Sequence, residues 1–504
     1  MTADARERVL ALTSWHHDWS GVRVAVLGLG VTGFSVADTL VELGARVRVI
    51  SGRPDPDRER LLDVIGAERA TLDGDDAQLE DLRAFNPELV VVSPGYRPDH
   101  PLTTWAADRG TVVWGDIELG WRLRDKTDRI ADWICITGTN GKTTTTQLTA
   151  HMLVAGGLRA TPAGNIGTPI LDAVRDPEGY DAIVVELSSF QLERLGVISP
   201  YASVCLNIAD DHLDWHGGAE AYRAAKAKVY AGTQVACVYN RADRATEQMV
   251  EEAEVVEGAR AISFGLDVPP PSGFGIVEGL LVDRGFHAER RDNAFELVSL
   301  EELRNRGLGA PHIVQDILAA AALARARGVE PAEIAAAVLA FTPDPHRSEH
   351  VATIEGVTWI DDSKATNAHA ANASLQALER VVWVVGGLLK GVNIDDLVRT
   401  HARRLRGAVV IGAERAELLA ALERHAPGVP VSEIAHADAG AVMSAAVTAA
   451  RRIAGPGDTV LLSPAAASMD QFSDYADRGR RFQHAVRGLG GGETDDESAD
   501  GDLG

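Results

Sequence analysis

Short apolar runs alternate with amphipathic helical patterns along almost the whole chain. Apolar runs rich in Val and Ile are typical of strands buried on both faces, because helices cover both sides of a parallel sheet. The alternation therefore predicts an α/β fold with parallel sheets. The predicted strands are residues 23–27, 46–50, 89–92, 133–136, 182–187, 202–208, 234–239, 357–360, 381–385, 408–411 and 459–462.

A glycine- and threonine-rich loop, TGTNGKTTTT, occupies residues 137–146 between the predicted strand 133–136 and a helical pattern. A loop in this position binds phosphate. Gly138 and Gly141 let backbone N–H groups turn toward phosphate oxygens, and the N-terminus of the helix adds partial positive charge. The alternative, a Gly/Thr turn with a solvated lysine, explains this strand–loop–helix order less well.

Two side chains of this loop carry the predicted chemistry. We expect Lys142 to reach the terminal phosphates and the Thr143 hydroxyl to ligate Mg²⁺. Ile136 stands where the usual G-x-x-x-x-G-K-[ST] pattern has its first glycine. The sequence therefore predicts an ATP site in a slightly altered phosphate loop.

A second glycine pattern, G-x-G-x-x-G over residues 28–33, follows the first predicted strand. In this context it is typical of a dinucleotide-binding fold, which also has an acidic residue after the second strand to hold a ribose. Ser51, Gly52 and Arg53 stand there instead. The pattern thus indicates a phosphate-bearing ligand and is weak evidence for a dehydrogenase.

The length of the chain and its turn-rich segments indicate the domains. A chain of 504 residues accommodates about three domains of ~150 residues. We expect a Rossmann-like N-terminal domain (1–130), a central P-loop ATPase-like domain (131–342) and a Rossmann-like C-terminal α/β domain (343–487), with a proline-broken linker near 341–345. Residues 1–18 receive no assignment, and the acidic segment 488–504 is predicted to be disordered.

Charge and cysteine content narrow the class of protein. A net charge of −24 disfavours nucleic acid and anionic membranes as partners. Cys135, Cys205 and Cys237 lie in apolar runs without metal-ligand spacing, which predicts buried free thiols and a cytoplasmic location. The chain shows neither a signal sequence nor a run long enough to span a bilayer.

Four polar clusters follow predicted strands or lie on the next helix, where open α/β sheets place their ligands. They are residues 164–167, 186–191, 207–214 and 222–226. Magnesium prefers a few protein oxygens together with phosphate and water, and Glu186 with Thr143 supplies such a set. For His212 and Lys226 the spacing alone leaves the ordinary reading open, a satisfied polar histidine and a surface lysine.

Together these motifs resemble the Mur ligase family of ATP-dependent amide-forming enzymes, over residues 20–485. The strings 362–367 and 463–472 are most similar to the family's D-glutamate-adding member, and the D-N-P-[RA] motif of the member that adds a diamino acid is absent from the sequence. The motifs that carry the resemblance are TGTNGKTT (137–144), GNIG (164–167), ELSSFQ (186–191), DDHLD (210–214), YRAAK (222–226), PHR (345–347), DSKATN (362–367) and SPAAASMDQF (463–472).

The resemblance implies a sequential reaction in peptidoglycan precursor synthesis. ATP phosphorylates the carboxylate of UDP-N-acetylmuramoyl-L-alanine, the amine of D-glutamate attacks the acyl phosphate, and a tetrahedral intermediate collapses to amide, ADP and phosphate. A carboxylate is a poor electrophile, so phosphorylation supplies the leaving group, and cations must clamp the transferring phosphate. The resemblance further implies a cytoplasmic monomer with no nucleic-acid or membrane partner.

The resemblance also assigns site residues. Lys142, Glu186, His212, Lys226 and Asn165 are implied as catalytic, with Asn165 near the substrate carboxylate. Two Mg²⁺ ions are implied, the first held by Thr143 and Glu186 and the second by His212 and a carbamylated Lys226. The implied ATP-binding residues are Gly138, Thr139, Asn140, Gly141, Lys142, Thr143, Thr144, Asp316, Arg347, Asp362 and Lys364. The implied residues for the UDP-sugar are Gly30, Val31, Thr32, Ser93, Pro94, Gly95 and Asn165, and those for D-glutamate are Thr366, Lys390, Ser468 and Tyr475.

The chain departs from the family pattern at the adenine pocket. The usual H-N-x-x-N is replaced by residues 312–316, HIVQD. Asp316 can still accept a hydrogen bond from the adenine amino group, whereas Ile313 cannot replace an amide. Two alternatives therefore stay open: another Mur-type or folylpolyglutamate synthase-like amide ligase, and a non-catalytic nucleotide-binding descendant.

Overall fold

The computed structural model describes residues 3–196, 198–389, 392–435 and 439–490. The chain forms two compact units. The first comprises residues 1–208 and 215–341, and the second comprises residues 209–214 and 342–504. Within the described ranges, no helix combines the length and the apolar character that crossing a bilayer requires.

In the described residues, twenty strands form three sheets. In chain order they are β1 Arg23–Leu27, β2 Arg46–Ser51, β3 Glu68–Thr71, β4 Leu89–Val92, β5 Val112–Gly115, β6 Asp132–Thr137, β7 Ala160–Gly164, β8 Ala182–Glu186, β9 Ala202–Cys205, β10 Ala236–Asn240, β11 Arg260–Phe264, β12 Gly273–Val277, β13 Leu280–Asp283, β14 Phe295–Ser299, β15 Glu349–Ile354, β16 Val357–Asp361, β17 Val381–Gly386, β18 Leu405–Ile411, β19 Val431–Glu433 and β20 Thr459–Leu462.

The same part of the chain contains twenty α-helices. They are α1 Ala3–Leu10, α2 Val31–Glu42, α3 Pro56–Ile65, α4 Asp75–Phe85, α5 Pro101–Asp108, α6 Asp116–Arg122, α7 Lys142–Ala155, α8 Ile170–Val174, α9 Ser189–Glu193, α10 Leu213–His216, α11 Ala219–Ala227, α12 Arg244–Glu251, α13 Leu300–Asn305, α14 Pro311–Ala326, α15 Pro331–Ala340, α16 Ala368–Gln376, α17 Asp395–His401, α18 Ala416–His425, α19 Ala439–Ile453 and α20 Tyr475–Gly490. A short 3₁₀ helix covers Lys228–Tyr230.

The first unit contains two sheets. The N-terminal sheet has the order β3-β2-β1-β4-β5 and is parallel throughout. The central sheet has the order β14-β13-β12-β11-β10-β9-β6-β8-β7, and only its β12–β13 and β13–β14 pairs are antiparallel. In each sheet the order in which successive strands are added reverses beside a central strand, β1 or β6. At such a topological switch point the loops that follow the adjacent strands diverge and leave a crevice at the carboxyl edge of the sheet.

The second unit contains the third sheet, ordered β15-β16-β20-β17-β18-β19. Strand β15 is antiparallel to β16, and the other pairs are parallel. Strand β20 lies between β16 and β17, so the loops after these three strands leave the same edge. The α/β class and the three parallel-rich sheets confirm the fold predicted from the periodicity.

Several element bounds differ from the prediction for local reasons. The strand predicted at 202–208 ends at Cys205. Asn207 bonds to the phosphate loop instead, since its carbonyl accepts the Thr139 N–H and its side-chain oxygen accepts the Asn140 N–H, each at 2.9 Å. The helix that follows β1 begins inside the G-x-G-x-x-G pattern, at Val31. Residues 488–490, predicted to be disordered, continue helix α20, and residues 491–504 lie outside the described residues.

The segment before the first strand, which the sequence left unassigned, is part of the N-terminal core. Helix α1 and the turn after it bury Val9 and Trp19 completely. Cys135, Cys205 and Cys237 are free and buried, as predicted. Burial raises the pKa of the Cys205 thiol to about 12, so this thiol stays protonated at neutral pH.

Candidate active site

At the carboxyl edge of the N-terminal sheet, two of the loops predicted to bind the UDP-sugar come together. The Ser93 N–H donates to the carbonyl of Leu27 at 3.0 Å, which joins the loop after β4 to the end of β1. The Ser93 hydroxyl oxygen is buried and has no hydrogen-bond partner among the described residues. A buried hydroxyl in this state indicates a ligand contact. The other predicted residues line the same edge: Gly30, Val31 and Thr32 at the start of α2, and Pro94 and Gly95 after Ser93.

The phosphate loop lies between β6 and α7, as predicted. The Lys142 ammonium donates to the carbonyls of Gly138 and Thr139 at 2.9 and 2.8 Å. Asn140 exchanges two hydrogen bonds with the side chain of Asn207, at 2.9 and 3.2 Å. These hydrogen bonds fix the backbone of the phosphate loop at the start of helix α7.

A buried carboxylate stands against the glycine at the end of this loop. Gly141 has a positive φ of 81°, and a Cβ added to it would lie 2.2 Å from Asp316 Oδ1. Asp316 is 6% exposed. Only glycine therefore fits between the loop and helix α14. The structure places Asp316 at the loop itself, and its predicted contact with adenine stays a prediction.

Glu186, the last residue of β8, is 1% exposed. Its Oε1 accepts a hydrogen bond from Asn165 Nδ2 at 2.7 Å, and the Asn165 N–H donates to the Glu186 carbonyl at 2.9 Å. Its Oε2 is buried and has no hydrogen-bond partner among the described residues. Leaving a buried carboxylate oxygen unsatisfied is costly unless a ligand completes it. Glu186 and Asn165, each predicted separately to be catalytic, are thus hydrogen-bonded to each other.

This donor set fits magnesium. The ion prefers hard oxygen ligands and few of them from protein. Glu186 Oε2 is such an oxygen, and Thr143 is 7% exposed in the first turn of α7. Its neighbour Thr144, also predicted to bind ATP, has a buried hydroxyl oxygen without a hydrogen-bond partner in the described part of the chain.

Lys226 lies on α11 and is 2% exposed, so the surface reading of this lysine is wrong. Its Nζ donates to Thr137 Oγ1 at 3.1 Å and to the Gly138 carbonyl at 2.9 Å. It also lies 5.0 Å from the centroid of the Tyr222 ring, within the range of a cation–π contact. Lys142 and Lys226 therefore donate to the same carbonyl from two different helices.

The histidine of the acidic segment belongs to the second unit. His212 has a φ of 52°, and its Nε2 lies 3.6 Å from Asp211 Oδ2. Asp211 Oδ2 also accepts a long hydrogen bond from Asn367 Nδ2 at 3.5 Å. The structure thus joins His212 to the DSKATN segment. Lys142, Asn165, Glu186 and Lys226 belong to the first unit.

Three residues of the second unit predicted to bind ATP lie next to β15 or β16. Arg347 precedes β15, and Asp362 and Lys364 follow β16. Asp362 is 7% exposed and accepts hydrogen bonds from Ser374 Oγ, Ser463 Oγ and the Ser348 N–H at 2.5, 3.1 and 3.1 Å. Burial nevertheless raises its pKa to about 6. The Arg347 Nε is buried without a hydrogen-bond partner among the described residues, which leaves a donor for a ligand.

The residues predicted for D-glutamate lie on neighbouring loops of the same sheet. Tyr475 begins α20, and the Lys364 ammonium lies 5.0 Å from its ring centroid. Ser468 is 4% exposed. Leu388 and Ala467 exchange two backbone hydrogen bonds of 3.0 Å, which joins the loop after β17 to the loop after β20. Thr366 follows Lys364 in the DSKATN segment, and Lys390 lies outside the described residues.

Sequence reasoning placed Asn207, Tyr222 and Gln191 in polar clusters without assigning them a role, and it missed Asp116. Asn207 holds the phosphate loop, and Tyr222 bonds to Thr139 Oγ1 at 2.9 Å. Gln191 Nε2 donates to the buried Asp116 at 3.0 Å and so links the central sheet's edge to the N-terminal sheet. Burial raises the pKa of Asp116 to about 6. The only available signal was the position of Asn207 and Gln191 at the ends of apolar strands.

Comparison with known proteins agrees with this architecture. The Mur ligase MurD-like N-terminal domain matches residues 22–115, the Mur ligase middle domain residues 136–324, and the Mur ligase glutamate ligase domain residues 346–466. A solved structure, the UDP-N-acetylmuramate-alanine ligase MurC of Thermotoga maritima, is 19% identical with a TM-score of 0.55, covering 93% of this chain and 99% of that one. That likeness shows the fold.

Curated relatives are much closer in sequence. The UDP-N-acetylmuramoylalanine--D-glutamate ligase of Leifsonia xyli subsp. xyli is 63% identical, covering 99% of both chains. The protein of the same name from Streptomyces avermitilis is 51% identical, covering 94% of this chain and 99% of its own. With three matched domains in order and this identity over nearly its whole length, the chain belongs to the Mur ligase family.

Proposed function

We propose that this chain is the ligase that joins D-glutamate to UDP-N-acetylmuramoyl-L-alanine with cleavage of ATP to ADP and phosphate. The buried Glu186, with one oxygen held by Asn165 and the other without a hydrogen-bond partner in the described part of the chain, is the observation that carries the proposal. A binding module has no need for such an oxygen beside a phosphate loop. The names of the relatives supply the substrates.

The phosphate loop aligns the nucleotide. Backbone N–H groups from Gly141 to Thr144, at the N-terminus of α7, would face the phosphates, and Lys142 would supply positive charge to the transferring group. Glu186 and Thr143 would hold a Mg²⁺ ion, which neutralises phosphate charge when bound. Asn165 fixes the Glu186 carboxylate and presents its own amide to the substrate carboxylate.

For Lys226 the proposal is carbamylation, which would give an oxygen ligand for a second Mg²⁺ with His212. Its burial against the phosphate loop supports a functional role. The two hydrogen bonds to Thr137 and Gly138 are contacts of an amino group. A carbamate nitrogen carries one N–H, so carbamylation would exchange one of these two hydrogen bonds.

The amino acid end of the reaction lies on the second unit. A dicarboxylate requires cations and hydroxyl donors. Lys390, Thr366 and Ser468, with the ring of Tyr475, are the proposed D-glutamate contacts, and Arg347, Asp362 and Lys364 are the proposed contacts to the nucleotide. The proposal includes a cytoplasmic location, which the free thiols support. It also includes a monomer without membrane or nucleic-acid partners, and the net charge of −24 disfavours both kinds of partner.

The test is release of phosphate with UDP-N-acetylmuramoyl-L-alanine, MgATP and a panel of D- and L-amino acids. We expect release with D-glutamate and little with L-glutamate or L-alanine, and the product should gain one glutamate by mass spectrometry. Release triggered by another amino acid would identify a different amide ligase. ATP binding without release under any combination would mean a non-catalytic descendant.

A further inference from the structure

A buried polar network in the second unit lies directly behind the loops proposed to bind ATP. His346 is 6% exposed, and its Nδ1 lies 2.6 Å from Oδ2 of the fully buried Asp361. Since a carboxylate only accepts, His346 Nδ1 carries the proton of this hydrogen bond. The other Asp361 oxygen accepts from the Ser363 N–H at 3.0 Å.

Gln483, from the C-terminal helix α20, completes the network. Its Nε2 donates to Asp361 Oδ2 at 2.9 Å and to Glu349 Oε2 at 3.0 Å. Its Oε1 accepts from Arg487 at 3.0 Å. Glu349 Oε2 also accepts from the His346 N–H at 2.9 Å. The amide thus holds two carboxylates together that would otherwise repel each other.

The same three side chains, His346, Glu349 and Asp361, have ligand atoms within 4.8 Å of one another, which is the spacing of a cation site. The hydrogen bonds exclude that reading. The Gln483 amide and the His346 Nδ1–H already donate into the carboxylates, and a cation would have to displace all of these donors.

Helix α20 presents one face to all of these loops. Tyr475, Arg478, Gly479, Phe482 and Gln483 follow the helical repeat of three and four residues. A Cβ on Gly479 would lie 2.2 Å from His346 Nδ1, so the ring packs against the helix backbone. Arg478, fully buried, donates to the Ser363 carbonyl at 2.8 Å and to the Ala466 carbonyl at 3.1 Å.

The network is connected to Arg347 and Lys364, the proposed nucleotide contacts, by a peptide bond and by a hydrogen bond. His346 has a φ of 66°, an uncommon backbone for histidine that neighbouring contacts must hold in place. Arg347 follows His346 directly in the chain, and the carbonyl of His346 itself accepts the Lys364 N–H at 3.2 Å. A displaced His346 would therefore move Arg347 and Lys364 together.

We propose that Gln483 is a positioning residue for ATP binding, which acts by holding His346 and Asp361 so that Arg347 and Lys364 point to the nucleotide. This inference rests on the proposed nucleotide role of those two cations. Gln483 touches no substrate in this account. Its effect should appear in the affinity for ATP and leave the affinity for the UDP-sugar, bound on the first unit, unchanged.

The test is calorimetric binding of MgATP and of UDP-N-acetylmuramoyl-L-alanine to the full-length protein and its variants. Gln483→Met keeps the volume and removes the amide, and His484→Ala, on the exposed side of the same helix, is the matched control. We expect Gln483→Met to raise the Kd for MgATP about tenfold, the value of one hydrogen bond of ~1.4 kcal/mol, with the UDP-sugar Kd and the control unchanged.

A second variant makes the result independent of folding losses. In Gln483→Glu the new carboxylate faces Asp361 and Glu349, so its MgATP Kd, relative to that of the wild type, should improve as the pH falls from 8 to 6 and the introduced carboxyl takes up a proton. An unchanged MgATP Kd in both variants, or equal losses for both ligands, overturns the inference. Because binding is measured rather than turnover, failure of the ligase reaction itself is a separate outcome.

Discussion

Two buried carboxylates stand at corresponding places in the two units and are satisfied differently. Glu186 ends β8 at the edge of the central sheet, and Asp362 follows β16 at the edge of the third sheet. They are 1% and 7% exposed. Glu186 receives one side-chain hydrogen bond and keeps an oxygen without a partner among the described residues, whereas Asp362 receives three.

The difference separates a carboxylate kept for a ligand from one used to hold the backbone. Burial is costly for both groups, and the protein offsets that cost for Asp362 with its own donors. For Glu186 one oxygen has no hydrogen-bond partner among the described residues, and we propose that it binds magnesium. With three donors on Asp362, about one lone pair remains for a ribose hydroxyl. Burial alone therefore does not identify the catalytic carboxylate, but the count of its donors does.

The largest expected effect is a loss of phosphate release on substitution of Glu186. Glu186→Gln keeps the shape and removes the charge, so phosphate release should fall about a thousandfold, because the loss falls on transition-state charge stabilisation. Its free energy of unfolding should be unchanged or higher by ~1 kcal/mol, because an unsatisfied buried charge is removed. Urea unfolding and steady-state phosphate release measure the two quantities. A large loss of stability with near-normal turnover would mean that Glu186, and not Asp362, is the carboxylate that holds the structure.

Lys142→Ala tests the phosphate loop, which lies beside Glu186. Removing the ammonium that compensates phosphate charge should lower turnover on the order of a thousandfold. The matched control is Lys228→Ala, a partly exposed lysine after α11 that contacts the Glu193 carbonyl. Near wild-type turnover in Lys142→Ala would refute the assignment of the phosphate loop.

Lys226→Ala tests the buried lysine of the same edge. We expect turnover to fall about a hundredfold or more and to recover in part with a short carboxylic acid, which supplies the oxygen that the proposed carbamate would provide. Mass spectrometry of the native protein should show the added CO₂. Rescue by a short amine in place of the acid would favour the uncarbamylated amino group seen in the two hydrogen bonds.

The smaller effect belongs to Asp362 and depends on pH. Its folded-state pKa of about 6 lies above the ordinary 3.8, so its contribution to stability is fully present below pH 3.8 and is lost as the pH rises through 6. Asp362→Asn does not titrate. Its free energy of unfolding, relative to the wild type, should therefore rise between pH 4 and pH 7 by up to ~3 kcal/mol.

The control for this pH effect is Asp396→Asn, an exposed aspartate of the second unit. Its stability difference from the wild type should stay flat over the same range. If Asp362→Asn and Asp396→Asn give the same flat profile in urea unfolding, then Asp362 is not desolvated as described. Turnover in Asp362→Asn should fall less than tenfold, since hydrogen bonds from Ser374 and Ser463 still hold the side chain.

The parts predicted best from the sequence are local in the chain. The phosphate loop was predicted because strand, glycines, lysine and helix are adjacent. The pairing of Glu186 with Asn165 joins residues only one strand apart, so their clusters could be expected at one edge. Periodicity likewise predicted β1 and β20 with their observed bounds.

The parts that escaped prediction depend on contacts between distant segments. The resemblance implied a role for Lys226, but its spacing alone left the reading of a surface lysine open, and only the fold brings it to Gly138. Gln483 and Asp361 are separated by 122 positions, and neither stands in a recognisable motif. The orientation of His346 follows from the packing of α20, which no local pattern encodes. Which carboxylate keeps an oxygen for a ligand is a property of the packed edge.

The concentration of Mg²⁺ that half-saturates phosphate release, at saturating ATP, tests the contrast between the two carboxylates most directly. In Glu186→Gln it should rise about tenfold or more, because a charged oxygen ligand has become a neutral one. In Asp362→Asn it should stay within about twofold of the wild type, because that carboxylate holds backbone and serine hydroxyls. An equal rise in both variants, or a rise only in Asp362→Asn, would contradict the assignment of Glu186 as the magnesium ligand.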